Sequence, residues 1–296
     1  MTRVLLIGSQ GQLGQELQAT LPALGEVVAV GRSQLDLTDL PQLRQLLKET
    51  APNIVVNAAA YTAVDKAESE IDLAKAVNAI APTVMAEEVQ KMGSQLVHFS
   101  TDYVFDGRKN TPYLEDDPPN PCGAYGESKL LGEDGIRQTC DRHIIIRTAW
   151  VYGSRGKGNF VKTMLRLGGD REELRVVMDQ VGSPTWTRDI ADATTQLLAR
   201  ELQQQTPAYG VYHFTNSGVA SWYDFAIAIF EEARSLSQPL QIERVLPITT
   251  AEYPLPARRP PYSVLSGKKF TAAIGQPAPH WRWGLRKMLS EYVQAD

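Results

Sequence analysis

Short, wholly apolar runs alternate with stretches of helical period along the first half of the chain. Val4–Ile7 is apolar without a break and rich in branched side chains, the pattern of a strand buried on both faces. Leu13, Leu17 and Leu21 then recur at helical spacing. The pattern predicts strands at Glu26–Val30, Asn53–Asn57, Gln95–Phe99 and His143–Arg147. Between them it predicts helices from about Pro41 to Thr50, across Ile71–Lys91, and from the Tyr125–Lys129 region to about Cys140. Asn78, a mediocre helix former inside the second of these, either bonds across to a neighbouring strand or faces water. Strand and helix in strict alternation predict a doubly wound parallel α/β sheet.

After Gly153 the regularity weakens. Phe160–Leu167 reads as helix, Val176-Val177 as a brief strand, and Gly182-Ser183-Pro184-Thr185 opens a helix from Arg188 to Ala199. A strand at Tyr209–Thr215 follows, then Ser221 caps an amphipathic helix over Trp222–Ala233, and a last helix lies near Trp283–Tyr292. This divides the chain into a dinucleotide-binding unit over residues 1–150, joined by the helix around 185–200. A smaller, partly interleaved α/β substrate region takes 151–184 and 211–296.

Composition narrows the class without naming it. The chain has 296 residues, 43% hydrophobic and 22% charged, as in ordinary globular proteins. A net charge of −4 argues against nucleic acid and anionic membrane as partners. No apolar run approaches the roughly 20 residues needed to span a bilayer. The N-terminus enters Val4–Ile7 with no basic leader, so a cytosolic location is expected. Two cysteines, Cys122 and Cys140, and four scattered histidines lack metal-ligand spacing, and structural roles are expected for the histidines.

The candidate chemistry lies at the ends of the predicted strands. Gly8, Gly11 and Gly14 are spaced G-x-x-G-x-x-G between a strand and a helix. That arrangement gives a tight turn, close backbone approach and a helix N-terminus facing a pyrophosphate. At the end of the second strand, Arg32 and Ser33 stand where an NAD enzyme carries a carboxylate, which favours NADPH over NADH; Arg32 as a solvated loop residue is the alternative. Asp36 accepts from an adenine amine or caps its turn. Ala58, Ala59, Ala60, Tyr61 and Thr62 make a small-residue wall after the third strand. The loop Ser154–Asn159 is basic and Gly-rich, suited to a phosphate-bearing substrate or simply solvated. Tyr125 and Lys129 share one helix face a turn apart, and an ammonium there is expected to draw the phenol pKa down from its ordinary value near 10. Thr101 or Ser100, on the fourth strand, supplies a hydroxyl that holds a substrate oxygen beside that phenol.

Taken together, these motifs resemble the extended short-chain dehydrogenase/reductase superfamily over the whole chain, with Asn57–Ala60 and Pro184-Thr185 followed by Asp189-Ile190-Ala191 adding to the match. Within it, Ala60–Glu68, Ser100–Gly107 and Arg147–Gly153 resemble the dTDP-4-dehydrorhamnose reductases. The resemblance implies NAD(P)H-dependent reduction of the 4-keto group of a dTDP-sugar. It implies Thr101, Tyr125 and Lys129 as catalytic residues, with Thr101, Asp102, Tyr103 and Trp150 lining the sugar-nucleotide site. It adds Gln12, Leu13, Leu37 and Phe99 to Gly11, Asp36, Ala60, Tyr61 and Thr62 as cofactor contacts, together with Tyr125 and with Lys129, which bonds the nicotinamide ribose. Some members of the family dimerise through Mg²⁺ held by three glutamates; Glu16 and Glu291 stand at two of those places but Arg188 at the third. A cation there opposes Mg²⁺ and favours a monomer over a homodimer. A sugar-nucleotide 4,6-dehydratase or 4-epimerase is the nearest rival, although dehydratases carry Glu where this chain has Tyr103. A non-catalytic regulatory homologue, such as the β subunit of methionine adenosyltransferase, is the rival from another class.

Overall fold

Five strands of the first half pair side by side in parallel: β1 (Arg3–Ile7), β2 (Glu26–Val30), β3 (Ile54–Asn57), β4 (Gln95–Thr101) and β5 (His143–Thr148). The coordinates are a computed structural model that describes residues 2–204 and 208–295. A sixth strand, Gly210–His213, joins beyond β5, giving the order Gly210–His213, β5, β4, β3, β1, β2. The chain leaves β1 in one direction to reach β2 and in the other to reach β3. The carboxyl edge at that reversal is where open α/β sheets bind ligands.

Alternation along each strand builds two apolar layers. Val4, Leu6, Val56, Val97 and Ile146 face helix α1 (Gln12–Thr20) and the helix Thr187–Gln204, where Leu17, Ile190 and Leu197 meet them. Leu5, Ile7, Val55, Leu96 and Ile145 face the other way, onto Leu43, Leu47, Val84 and Ile136. The helix Ala124–Thr139, which carries Tyr125 and Lys129, packs on this second face. A third cluster joins Tyr152, Val161, Trp186, Phe225, Phe230 and Leu285 in the later half of the chain.

Several elements depart from the sequence pattern. The helix expected across Ile71–Lys91 is divided into Ile71–Lys75, a π-turn at Ala76–Ile80, and Ala81–Met92. Pro82 has no N–H to donate to the Asn78 carbonyl, so the regular ladder fails there. The freed carbonyl lies against Gly132 of the Tyr125 helix, where a Cβ would come within 2.1 Å of it. The strand expected at Tyr209–Thr215 is confined to Gly210–His213. The strand Arg244–Ile248, parallel to Glu173–Val177, and the helix Lys268–Ile274 had no clear signature, because the first is largely exposed and contains Pro247. Among the described residues no helix is long and apolar enough to cross a membrane.

Candidate active site

The glycine turn owes its shape to contacts that only hydrogen permits. Gly8 has φ +87°, and a Cβ on it would meet the Ala59 nitrogen at 2.6 Å. A Cβ on Gly14 would lie 2.1 Å from the Gly8 carbonyl oxygen. Helix α1 starts at Gln12 after Gly11, an N-cap with no side-chain acceptor, so its first N–H groups are left for an anion. These features fit a dinucleotide pyrophosphate. The loop Ser154–Asn159 lies at this turn: Asn159 Nδ2 donates to Gln12 Oε1 at 3.1 Å and Arg155 to the Gln15 carbonyl at 3.4 Å. The loop therefore adjoins the glycine turn, a placement that its basic, Gly-rich sequence left open.

Arg32 and Ser33 are exposed beyond the end of β2. Asp36 accepts from the Thr38 N–H at 2.9 Å and its hydroxyl at 2.8 Å, so it caps its turn, and these bonds hold its carboxyl below the usual range. Leu37 and Phe99 are buried in the apolar layers, and Leu13 packs against one of them. Ala58, Ala59 and Ala60 are half-buried along the wall after β3. Tyr61 is fixed through its backbone: its N–H donates to Asn78 Oδ1 at 2.9 Å and its carbonyl accepts from Asn78 Nδ2 at 3.0 Å. Asn78 also donates to Ser128 Oγ at 3.0 Å, tying the wall to the Tyr125 helix. Thr62 is exposed beside it. Of the two readings of Asn78, the bonded one holds, although its partner is the loop after β3.

Thr101, Tyr125 and Lys129 meet at the carboxyl end of β4. Thr101 donates to Asp102 Oδ1 at 3.1 Å and accepts from the Tyr103 N–H at 3.2 Å, with its hydroxyl close to the Tyr125 phenol. Tyr103 packs edge-on against Tyr125, with ring centroids 5.4 Å apart. Burial pushes the Tyr125 phenol up to about 12, and the Asp102 charge adds to it while Thr101 opposes it. This corrects the expected lowering by Lys129. The Lys129 ammonium group is itself desolvated: burial brings it down to about 8, against the pull of Glu133. Its Nζ is aimed at the Phe99 carbonyl, 2.7 Å away, and at His98 Nε2, 3.0 Å away. His98 thus adjoins the candidate catalytic group, a placement that four scattered histidines in the sequence did not suggest.

Asp102 is buried, which raises its carboxyl to about 6 against the opposing pull of the nearby Ser263 and Thr101 hydroxyls; Thr101 donates to Oδ1, while Oδ2 has no hydrogen-bond partner among the described residues. Trp150 has φ +48°, uncommon for a bulky residue. It is held there by a parallel stack on Trp222, centroids 3.5 Å apart, and by Gly182, where a Cβ would touch the indole at 2.5 Å. A cleft of about 1070 Å³ opens beside these residues, lined by Phe160, Trp222, Arg175, Tyr253, Arg258 and Arg259. Arg259 is paired with Asp65 at 2.7 Å and lies beside Tyr103, whose ring packs on Tyr125, so the cleft begins one side chain from Tyr125. The lining is brought together from four stretches of chain: 160–167, 171–180, Trp222 and 248–261.

Glu16 does not offer a metal site. It is buried, with Arg155 Nε 3.4 Å from one carboxylate oxygen and Arg188 Nη1 3.7 Å from the other. Glu291 instead accepts from Ser154 at 3.1 Å. Two guanidiniums stand where a divalent cation would need anionic ligands, so the residues do not fit Mg²⁺.

Residues 1–294 match the family described as RmlD substrate binding domain. The chain is similar to dTDP-4-dehydrorhamnose reductase of Burkholderia thailandensis, at 45% identity over 98% of this chain and 100% of that one. It is also 45% identical to the spore coat polysaccharide biosynthesis protein SpsK of Bacillus subtilis, over 100% of this chain and 99% of that one. The crystal structure of dTDP-4-dehydrorhamnose reductase from Bacillus anthracis in complex with NADP superimposes with a TM-score of 0.88, at 39% identity, covering 98% of this chain and 100% of that one.

Proposed function

Because the chain belongs to the dTDP-4-dehydrorhamnose reductase family, we infer that it reduces the 4-keto group of dTDP-4-dehydro-L-rhamnose with NADPH, yielding dTDP-L-rhamnose. The observation that carries this reading is the meeting of Thr101, Tyr125 and Lys129 on the sheet edge that also holds the glycine turn. A short path of contacts joins the two: Gly8 touches Ala59, Ala59 is bonded to Asn57, Asn57 to His98, and His98 to Lys129.

Gly8, Gly11, Gln12, Leu13 and Gly14 would receive the pyrophosphate, Ala58–Thr62 the nicotinamide half, and Arg32 with Ser33 the 2′-phosphate. The reduced nicotinamide, when bound, supplies the hydride. Tyr125 then acts as the acid: its high pKa keeps the phenol protonated at neutral pH, ready to protonate the alkoxide oxygen at C4. Thr101 orients that oxygen. Asp102, Tyr103 and Trp150 bound the sugar, and the arginines and aromatics of the neighbouring cleft suit a nucleoside diphosphate. In this reading residues 1–150, with the helix Thr187–Gln204, form the dinucleotide unit and the remainder the substrate region of a monomeric cytosolic enzyme.

Nicotinamide absorbance, followed on mixing with NADPH and the keto-sugar nucleotide, tests the reaction. Stoichiometric oxidation is expected. An epimerase would consume no added NADPH, and a regulatory protein would leave both components unchanged. Replacing Arg32 by Ala should raise KM for NADPH about tenfold while leaving KM for NADH nearly unaltered; equal losses for both would remove the phosphate-reading role.

A further inference from the structure

We propose that His98, held in one tautomer by Asn57, is the positioning residue that makes Lys129 the proton source for the Tyr125 phenolate. The inference rests on the Tyr125–Lys129 reading above and begins with hydrogen-bond accounting. The Ala59 N–H donates to Asn57 Oδ1 at 3.1 Å, which fixes the orientation of that amide. Asn57 Nδ2 therefore points at His98 Nδ1, 3.0 Å away, as a donor. Neutral imidazole has one donor and one acceptor nitrogen, so with Nδ1 accepting the ring proton resides on Nε2. Nε2–H faces Lys129 Nζ at 3.0 Å.

An ammonium has three donors and no acceptor, whereas a neutral amine keeps a lone pair. In the amine form every contact is satisfied: Nζ donates to the Phe99 carbonyl at 2.7 Å and accepts from His98. In the ammonium form two N–H groups oppose each other at a site where Asn57, His98 and Lys129 are all buried. The ring does not relieve this by taking a proton itself, because burial and the Lys129 charge hold its pKa well below the ordinary value. On its own helix Tyr125 and Glu133 stand one turn to either side of Lys129. Glu133 favours the ammonium, but it is already engaged by Arg147 of β5 at 2.6 Å and by Ser100 of β4 at 2.5 Å. Strand β3 contributes the neutral Asn57.

The consequence is a proton step after reduction. Tyr125 gives its O–H proton to the C4 alkoxide and becomes phenolate. An N–H bond of the Lys129 ammonium then breaks and the Tyr125 O–H bond re-forms. The amine left behind accepts the His98 Nε2–H hydrogen bond and regains its proton from solvent. His98 stays neutral and touches neither substrate nor the reacting atoms.

The test is an NMR titration of the Lys129 side chain in the full-length protein, its resonance assigned with Lys129→Arg, alongside the pH profile of kcat. His98→Phe removes the opposing donor without adding charge, and Asn57→Asp accepts from Nδ1–H and so turns Nε2 into an acceptor. Each should raise the Lys129 pKa by about one unit or more, a tenfold change in its acid constant. The alkaline limb of kcat should move by the same amount, with KM for the sugar nucleotide held within about twofold. His98→Gln, whose amide NH₂ can occupy the Nε2 position, should return the titration towards wild type. A Lys129 titration unmoved in both His98→Phe and Asn57→Asp overturns the proposal, and if His98→Phe does not fold, Asn57→Leu, which frees Nε2 to accept without adding charge, replaces it. Full kcat in Lys129→Met would instead remove the underlying role of Lys129, a failure that the titration distinguishes from the first.

Discussion

Tyr125 shows how far the protein environment alters a side chain's chemistry. A solvated phenol beside an ammonium would lose its proton more easily, but burial reverses the sign and holds the group at about 12. Tyr125→Phe should lower kcat by about 10²–10⁴ while leaving NADPH affinity, read by fluorescence, nearly unchanged; wild-type turnover in that variant would reject the acid assignment. Asp102 provides a second residue-scale test. Its folded pKa of about 6 lies above the unfolded value near 3.9, so between those values the folded protein keeps a proton that the unfolded chain releases. Stability from this group is present below pH 4 and is lost as pH rises through 6. Asp102→Asn, which does not titrate, should be more stable than wild type above pH 7 by about 3 kcal/mol and nearly equal at pH 4. A melting-temperature difference that is constant with pH would show that Asp102 ionises normally.

At the scale of elements, the site depends on where regular structure is interrupted. Pro82 and Asn78 together turn one helix into a π-turn, and the side chain released there grips the Tyr61 backbone and Ser128. A single residue thereby sets the distance between the wall after β3 and the helix carrying Tyr125. Asn78→Ala should destabilise the protein by about 1–3 kcal/mol in urea unfolding, since it leaves polar groups without partners. It should also raise KM for NADPH several-fold with kcat largely kept. If only stability changed, the wall would not need this anchor to bind cofactor. The same logic explains Trp150, whose left-handed backbone is maintained by stacking on Trp222 from a helix 72 positions further on.

Across the whole molecule, the carboxyl end of the sheet changes character. On the face that begins apolar at Val55, Leu96 and Ile145, the next residues outward are Asn57, His98, Ser100 and Arg147. The Tyr125 helix answers them with Lys129 and Glu133. Arg147 and Glu133 are almost wholly buried, so removing one partner leaves a charge without compensation. Glu133→Gln should cost about 3–5 kcal/mol of stability by denaturant unfolding. A loss below about 1 kcal/mol would mean that water reaches the pair.

Periodicity along the chain was sufficient for the parallel sheet, the glycine turn and the Tyr125–Lys129 helix, because each rests on residues within one or two turns of one another. The capping box at Ser221 and Asp224 belongs with these local features. Other features depend on residues far apart in sequence. His98 reads as one letter inside an apolar strand, and its contact with Lys129 exists because β4 and a later helix are packed face to face. The guanidiniums around Glu16 come from Arg155 and Arg188, and the cleft draws its lining from segments that carry no shared pattern. Hydrophobic spacing fixes which face of an element is buried; which polar side chains meet there, and what proton each then holds, is decided by long-range packing and by the desolvation it imposes.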